Sequence, residues 1–288
     1  MRSTSVRRVS DSDPIPLDER PSDPALWRNA QRAGSFGGVA SQYERYRPGP
    51  PIAAVEWFVP TRVARVVDIG AGTGALTRLL IDRADEVVAG EPDDRMRSGL
   101  AAEVPGARAV MGRGESMPIP DGCADAVLAS SSWHWMDPIP TLNEVARVLA
   151  PGGIIGAVWS GPDPEGPFML QARDLLAAQS QRSSGAADGD SLADVVRDGP
   201  RPTFVLEIPP GLPFDQPDHE VFTWDIALNA DELIGLLGTI STIITLPADR
   251  RERLLTNARQ LLRDLLGLEG EVTVDVAFRA DAWRARTQ

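Results

Sequence analysis

The chain of 288 residues carries a formal net charge of −12 at pH 7 and has a sequence pI near 4.7, which disfavours a nucleic-acid partner, because phosphate binding needs a basic face. Its cationic side chains are all arginines, so a Walker A lysine, a pyridoxal Schiff base and a lysine nucleophile are excluded. One cysteine and two histidines exclude an intrachain disulfide and a cysteine-rich or histidine-rich metal site.

Residues 1–35 are rich in serine, aspartate, arginine and proline, and we predict that they form a disordered lead. The N-terminal sequence MRSTSVRRVS is basic without an apolar stretch, and the chain contains no run of ~18 consecutive apolar residues. We therefore expect no secretion and no membrane partner, and we predict a cytoplasmic protein. We expect residues 36–288 to form a single domain.

A buried strand leads directly into a glycine-rich turn at Val66–Gly74 (VVDIGAGTG). The apolar residues before the turn are β-branched, as in a parallel strand that is buried on both faces. Gly70, Gly72 and Gly74 permit positive φ and leave no Cβ in the way, so the backbone can lie against a ligand. A helix follows, with leucines at the spacing of one buried face (Leu76, Leu79 and Leu80). Together these elements predict a nucleotide-binding βα unit.

The carboxylate of Asp68, just before the first glycine, distinguishes this turn from other nucleotide-binding turns. It can receive a hydrogen bond from a cationic amino group or from the turn itself. Gly70, Gly72 and Ala75 also satisfy the dinucleotide pattern G-x-G-x-x-G/A, so a nicotinamide oxidoreductase is one alternative interpretation. A tight turn that binds nothing is another. The full pattern D-x-G-x-G-x-G resembles the first motif of class I S-adenosylmethionine-dependent methyltransferases. That resemblance implies S-adenosyl-L-methionine as the cofactor.

The next predicted strand, EVVAGE, ends in Glu91. Glu91 follows Asp68 at close to the ~20-residue spacing at which, in dinucleotide-binding folds, an acidic residue binds the two hydroxyl groups of the ribose. A carboxylate accepts both hydroxyl protons and would repel a 2′-phosphate. We therefore predict that Glu91, followed by Pro92, binds the cofactor ribose; a solvated acid at the end of a strand is the alternative.

Two further segments, Gly112–Asp137 (GRGESMPIPDGCADAVLASSSWHWMD) and Leu149–Ser160 (LAPGGIIGAVWS), resemble conserved parts of the type 11 methyltransferase family. The resemblance implies that Gly114 and Glu115 lie beside the adenine. It also implies that Ser131 lies beside the methionine portion of the cofactor. The W-H-W triplet is similar to that of a subgroup which includes trans-aconitate methyltransferase.

The segment Phe36–Pro51 (FGGVASQYERYRPGPP) resembles the N-terminal lead-in of the same family, with Tyr43 and Arg47 matching its Y-x-x-x-R-P pattern. The resemblance implies that both residues belong to the cofactor site. Arg47 is expected to hold the cofactor carboxylate, because a guanidinium presents paired donors to paired acceptors. A surface arginine before a proline that ends a helix is the alternative.

His134 is the candidate catalytic residue, because it follows the strand that the family resemblance places fourth, near the expected position of the methyl group. An oxygen or nitrogen acceptor must lose a proton, and a histidine can act as the general base. The alternative is a packed structural histidine between two tryptophans. Those tryptophans can wall an apolar pocket, present their π-faces to a sulfonium charge or pack in the core.

The second half of the chain is expected to select the substrate. We interpret residues 161–218 as an insertion that lies over the strand ends and predict a helix within it at Phe168–Gln181. The last two strands are predicted at His219–Leu228 and Val272–Trp283. Between them, Arg253–Leu266 is expected to form a surface helix with one apolar face docked on the sheet.

These elements predict an α/β protein with a Rossmann-like, seven-stranded, mostly parallel sheet, helices on both faces and an antiparallel last strand. The expected activity is transfer of a methyl group to an oxygen or nitrogen of a small molecule by a monomer or homodimer. Two alternatives remain open. One is a protein that binds S-adenosylmethionine without methylating, as a regulator or scaffold; the other is an NAD-dependent oxidoreductase.

Overall fold

The computed structural model describes residues 6–9, 45–182 and 204–288. Within these ranges, eight strands form one mixed sheet. In chain order the strands are β1 (Arg7–Val9), β2 (Val63–Ile69), β3 (Ala84–Gly90), β4 (Arg108–Val110), β5 (Ala124–Ser130), β6 (Leu149–Pro162), β7 (Asp218–Asn229) and β8 (Thr273–Arg286). Their order across the sheet is β1-β7-β8-β6-β5-β2-β3-β4. The predicted α/β class is therefore confirmed.

The parallel half of the sheet consists of five neighbouring strands, with β2 at its centre. β2 pairs in parallel with β3 on one side and with β5 on the other, and β4 and β6 extend this arrangement outward. The paired valines of β2 face opposite sides, Val66 in one apolar core and Val67 in another. Burial on both faces explains the unbroken β-branched run in this strand.

The last strand, β8, runs antiparallel between β6 and β7, as predicted. Its register with β6 ends at Pro162↔Phe278, whereas its register with β7 continues to Asn229↔Thr273. β7 and β8 therefore form an antiparallel arm that projects beyond the end of β6. The predicted bounds of these two strands hold to within a few residues.

The eighth strand, β1, lies inside the segment for which the composition predicts disorder, so that prediction is wrong for Arg7–Val9. β1 pairs antiparallel with β7 at the edge of the sheet. Arg8 forms an ion pair at 2.7 Å with Glu220, whose side chain is buried. This long-range partner explains why a polar local composition did not reveal the strand.

Helices cover both faces of the sheet. They are α1 (Ile52–Phe58), α2 (Thr77–Leu80), α3 (Asp94–Glu103), α4 (Pro138–Val148), α5 (Pro167–Arg182), α6 (Ala230–Leu237), α7 (Ser241–Ile244) and α8 (Ala248–Leu266). The core on one face takes apolar residues from α1 and α2, and the core on the other face takes them from α4. The helix predicted after the glycine turn is only one turn long, because β3 begins four residues after its end.

The helix α8 confirms the amphipathic segment predicted between the last two strands, although it begins five residues earlier than expected. Its residues Leu254 and Ala258 are buried on the expected face. Among the helices of the described ranges, none is long and apolar enough to span a membrane.

The central strands and α1 pack closely around Gly156. A Cβ at this position would lie 2.7 Å from Leu128 Cδ2 and 2.8 Å from two ring carbons of Phe58. We expect Gly156→Ala to lower the free energy of unfolding by about 1–3 kcal/mol, because an added methyl group in a well-packed core forces its neighbours to shift. Urea unfolding of the full chain measures this loss.

The matched control is Gly99→Ala in α3, where no atom lies within 4 Å of the new Cβ. It should leave the chain unchanged or more stable, since alanine favours a helix. Equal effects at the two positions would contradict the packing argument.

Candidate functional site

The glycine turn between β2 and α2 has two structural roles. Gly70, Gly72 and Gly74 adopt φ values of 64°, 58° and 94°, which L side chains rarely adopt. A Cβ at Gly70 would lie 2.7 Å from Ser132 Cβ, and one at Gly74 would lie 2.6 Å from Leu100 Cδ1. A Cβ at Gly72 would find its nearest atom 4.0 Å away. The outer glycines therefore permit close packing, while Gly72 leaves space in which the backbone can approach a ligand.

Glu91 lies directly against this turn. Its Oε2 accepts a hydrogen bond from the Gly72 N–H at 2.8 Å, and its Oε1 accepts one from the Asp93 N–H at 2.9 Å. Burial raises the pKa of the Glu91 carboxyl, although both N–H donors oppose that shift. Each oxygen still has a lone pair, so the structure brings Glu91 to the turn in a fixed orientation with capacity for two more donors.

Asp68 is fully buried beneath the turn. The Thr77 hydroxyl donates a hydrogen bond to Oδ2 at 2.6 Å, whereas Oδ1 has no partner among the described residues. Burial raises the pKa of Asp68 to about 7, and the nearby charge of Glu91 acts in the same direction. A buried carboxylate oxygen without a donor is costly, so this position favours a cationic ligand group.

The segment after β5 is tied to the same turn. Ser131 has φ 50°, the one positive φ outside glycine in the described ranges, and its N–H donates to the Val158 carbonyl at 2.8 Å. The Ser132 hydroxyl donates to the Ile69 carbonyl at 2.8 Å. Such left-handed backbone costs about 1–3 kcal/mol and occurs often at functional sites. Ser132 was missed by sequence reasoning, because nothing local distinguishes it from its serine neighbours.

Gly114 and Glu115 lie against the two residues that follow the W-H-W triplet. A Cβ at Gly114 would lie 3.1 Å from Met136 Cγ. Glu115 Oε1 accepts a hydrogen bond from the Asp137 N–H at 2.9 Å. These contacts hold the segment that precedes α4, and the adenine contacts implied by the family resemblance stay predictions.

His134 lies in a short 3-10 helix, Trp133–Trp135, and is held by aromatic residues. Its Nδ1 accepts a hydrogen bond from the indole N–H of Trp159 at 3.0 Å. Phe204 stacks on the imidazole, with ring centroids 4.3 Å apart and planes 19° apart. Burial lowers the pKa of His134 to about 3, with a smaller contribution from the charge of Arg47. The imidazole is therefore neutral at pH 7.

The general-base role expected for His134 conflicts with this geometry. An indole N–H can only donate, so Nδ1 is unprotonated and the ring proton is on Nε2. The one nitrogen with a lone pair is already engaged. Sequence reasoning missed both partners: Trp159 was included only in the segment Leu149–Ser160, and Phe204 lies in the insertion, which carries no recognisable motif.

The segment around Arg47 extends from the glycine turn towards His134. A Cβ at Gly49 would lie 3.2 Å from the carbonyl oxygen of Ala75, which immediately follows the turn. The charge of Arg47 lowers the pKa of His134, which places the two side chains in the same region. Tyr43 lies outside the described residues, and the expected roles of both lead-in residues stay predictions.

Comparisons with known proteins agree with this geometry. A family model described as a methyltransferase domain matches residues 67–157. An uncharacterised methyltransferase of Mycobacterium tuberculosis (strain ATCC 25618 / H37Rv) is 36% identical over 228 residues, which cover 79% of this chain and 85% of that protein. An uncharacterised methyltransferase-like protein of Schizosaccharomyces pombe is 23% identical over 263 residues, 88% of this chain and 96% of that protein.

A solved structure shares the fold. It is that of a candidate type II methyltransferase from Anaeromyxobacter dehalogenans, with a TM-score of 0.55 and 21% sequence identity. The match covers 84% of this chain and 98% of that one.

The burial of Asp68 predicts a pH dependence of stability. Its pKa is about 7 in the folded chain and 3.8 ordinarily, so the folded state holds this proton more tightly. This tighter proton binding stabilises the folded state fully below about pH 4, and the stabilisation is lost as the pH rises to about 7. Its size is about 1.4 kcal/mol for each unit of difference between the two pKa values. Asp68→Asn removes it.

Urea unfolding of the wild-type chain and Asp68→Asn at about pH 5 and about pH 8 measures this effect. The stability of the wild type relative to the variant should fall as the pH rises. Asp174→Asn, at an exposed position on α5, is the matched control. A wild-type advantage that grows with pH would contradict the assignment.

Proposed function

This chain belongs to the class I S-adenosylmethionine-dependent methyltransferases, and from that premise we propose that it methylates an oxygen or nitrogen atom of a small molecule. The observation that carries the proposal is the pairing of Glu91 with Gly72 above the unpartnered Oδ1 of Asp68. Family membership supports neither an NAD-dependent oxidoreductase nor a protein that only binds the cofactor. The finer likeness of the W-H-W triplet to the trans-aconitate methyltransferase subgroup remains part of the proposal.

The residues at the glycine turn fit the chemistry of the cofactor. The free lone pairs of Glu91 suit the two hydroxyl groups of a ribose. The open space at Gly72 lets the backbone approach the ligand. The unpartnered oxygen of Asp68 suits a positively charged group, and S-adenosylmethionine carries a sulfonium and an ammonium.

The other residues of the proposed site have assignments that rest on the family resemblance. We assign the cofactor carboxylate to Arg47, the adenine to Gly114 and Glu115, and the methionine portion to Ser131. The remaining proposed members are Tyr43, Gly70, Gly74 and Pro92.

When bound, S-adenosylmethionine supplies a methyl group to a lone pair of the acceptor, and the electron pair of the broken carbon–sulfur bond stays on sulfur. The chain's own contribution is mainly alignment, which in favourable cases is worth up to ~7–11 kcal/mol. The Ser132–Ile69 hydrogen bond holds the loop that carries His134 against the glycine turn. Trp135 and Phe204 lie on the imidazole and supply apolar surface for the acceptor.

An acidic surface supports a small-molecule acceptor over a nucleic acid, because the net charge is −12. The arm formed by β7 and β8 projects past the end of β6, which bears Trp159, and is available to shape an acceptor pocket. We therefore propose that the insertion at 161–218 and this arm select the acceptor.

Calorimetry tests the cofactor site. Wild-type chain should bind S-adenosylmethionine and S-adenosylhomocysteine and should not bind NAD. Glu91→Gln should weaken binding of S-adenosylhomocysteine by about 10- to 100-fold, because hydrogen bonds to a charged group are worth about 1.5–3 kcal/mol. Glu103→Gln, at an exposed position at the end of α3, is the matched control and should bind as the wild type does. Binding of NAD alone would refute the proposal.

Transfer of a labelled methyl group to a library of metabolites tests the reaction and identifies the acceptor. With that acceptor, His134→Ala should lower turnover by about 10- to 100-fold, because one contact to the reacting group is lost. Its affinity for S-adenosylhomocysteine should change little. Unchanged turnover would remove His134 from the mechanism.

A further inference from the structure

We infer that Trp159 is a positioning residue, which holds His134 as a neutral Nε2–H hydrogen-bond donor towards an oxygen acceptor. This inference rests on the proposed function. It assigns a role to a residue outside the recognised cofactor motifs, and it replaces the general-base role of His134 with a donor role.

The hydrogen bond between the two side chains determines which nitrogen carries the proton. Trp159 lies on β6 and is buried, and its Nε1–H is 3.0 Å from His134 Nδ1. An indole nitrogen cannot accept a hydrogen bond, so this contact exists only when Nδ1 is unprotonated. A neutral imidazole then carries its single proton on Nε2.

Stacking restrains the imidazole in that orientation. Phe204 lies parallel to His134 at 4.3 Å and to Trp159 at 5.4 Å, with both pairs of planes 19° apart. Trp135 also contacts the imidazole, with ring centroids 4.6 Å apart. A flip of the imidazole within its plane would break the hydrogen bond, and a tilt would break the stacking, so the two contacts together fix the direction of Nε2–H.

The proton balance of methyl transfer follows from this arrangement. A new bond forms between the acceptor lone pair and the methyl carbon, and the carbon–sulfur bond breaks with its electron pair remaining on sulfur. Nε2 of His134 already carries a proton, and the Nδ1 lone pair is engaged by Trp159. Neither nitrogen of His134 is therefore free to take a proton from the attacking atom, and an attacking atom that arrives unprotonated needs no other base.

The same arrangement favours oxygen over nitrogen as the acceptor atom. An unprotonated oxygen has more than one lone pair, so it can accept the Nε2–H hydrogen bond and still attack the methyl carbon. An amine nitrogen has a single lone pair and cannot do both. The inferred acceptor class is thus a small molecule with an ionised oxygen.

Nitrogen NMR of the histidine rings tests the tautomer in the full chain without any substrate. The chain contains only two histidines, so the spectrum is simple, and His219→Gln assigns the signals. At pH 7 the wild type should show an unprotonated Nδ1 and a protonated Nε2 for His134. A protonated Nδ1 would overturn the inference, whether or not the chain binds S-adenosylmethionine.

Two tryptophan variants isolate the role of the indole N–H. Trp159→Phe removes the donor and should populate the Nδ1–H form of His134. Trp283→Phe is the matched control, since Trp283 belongs to the same apolar core and its Nε1 has no hydrogen-bond partner in the described residues. It stacks on His219 at 4.0 Å, so it should shift only the signals of His219. An unchanged His134 tautomer in folded Trp159→Phe would also overturn the inference.

Turnover on the acceptor found in the labelled-methyl assay tests the link to the reaction. Trp159→Phe should lower kcat by about tenfold relative to Trp283→Phe, with unchanged affinity for S-adenosylhomocysteine. His134→Gln retains a side-chain N–H donor but no base, and it should keep about tenfold more activity than His134→Ala. Equal loss in both His134 variants would support a base and refute the donor role. Failure of the chain to bind S-adenosylmethionine would refute the proposed function and leave the tautomer result intact.

Discussion

Two acidic side chains at the ends of adjacent strands impose the main constraint on this protein. Asp68 near the end of β2 and Glu91 just after β3 are both buried. Burial raises the pKa of both carboxyl groups, and the charge of Glu91 raises the pKa of Asp68 further. Keeping both charges there requires donors, which Thr77, Gly72 and Asp93 supply in part. Oδ1 of Asp68 has no hydrogen-bond partner among the described residues. This oxygen and the remaining lone pairs of Glu91 can accept donors from a ligand.

The topology of the sheet explains why the candidate site lies at this point. From β2 the chain continues outward through β3 and β4 on one side, and then returns to place β5 and β6 on the other. Ligands bind at such reversals of strand order in open α/β sheets, at the carboxyl ends of the strands. The hydrogen bond from Ser132 to Ile69 spans this reversal and joins the glycine turn to the loop that bears His134. This hydrogen bond fixes the loop that bears His134 relative to the proposed cofactor turn.

β6 and the insertion contribute the side chains that surround His134. β6 carries Trp159 towards the carboxyl end of the sheet, and Phe204 returns from the insertion to stack on His134. His134 is thereby neutral and restrained, which suits a donor to an acceptor more than a base.

The sequence by itself determined the strand, glycine turn and helix at Val66–Leu80, the acid at Glu91, the antiparallel last strand and the family. These features depend on the spacing and chemical type of nearby residues, which local backbone preferences turn into structure. Only the tertiary structure decided that β1 joins the sheet, that Ser132 bridges two strand ends and that the Trp159 indole hydrogen-bonds to His134 Nδ1. Each of these depends on a partner far away in the chain, whose position is set by packing and leaves no local pattern in the sequence.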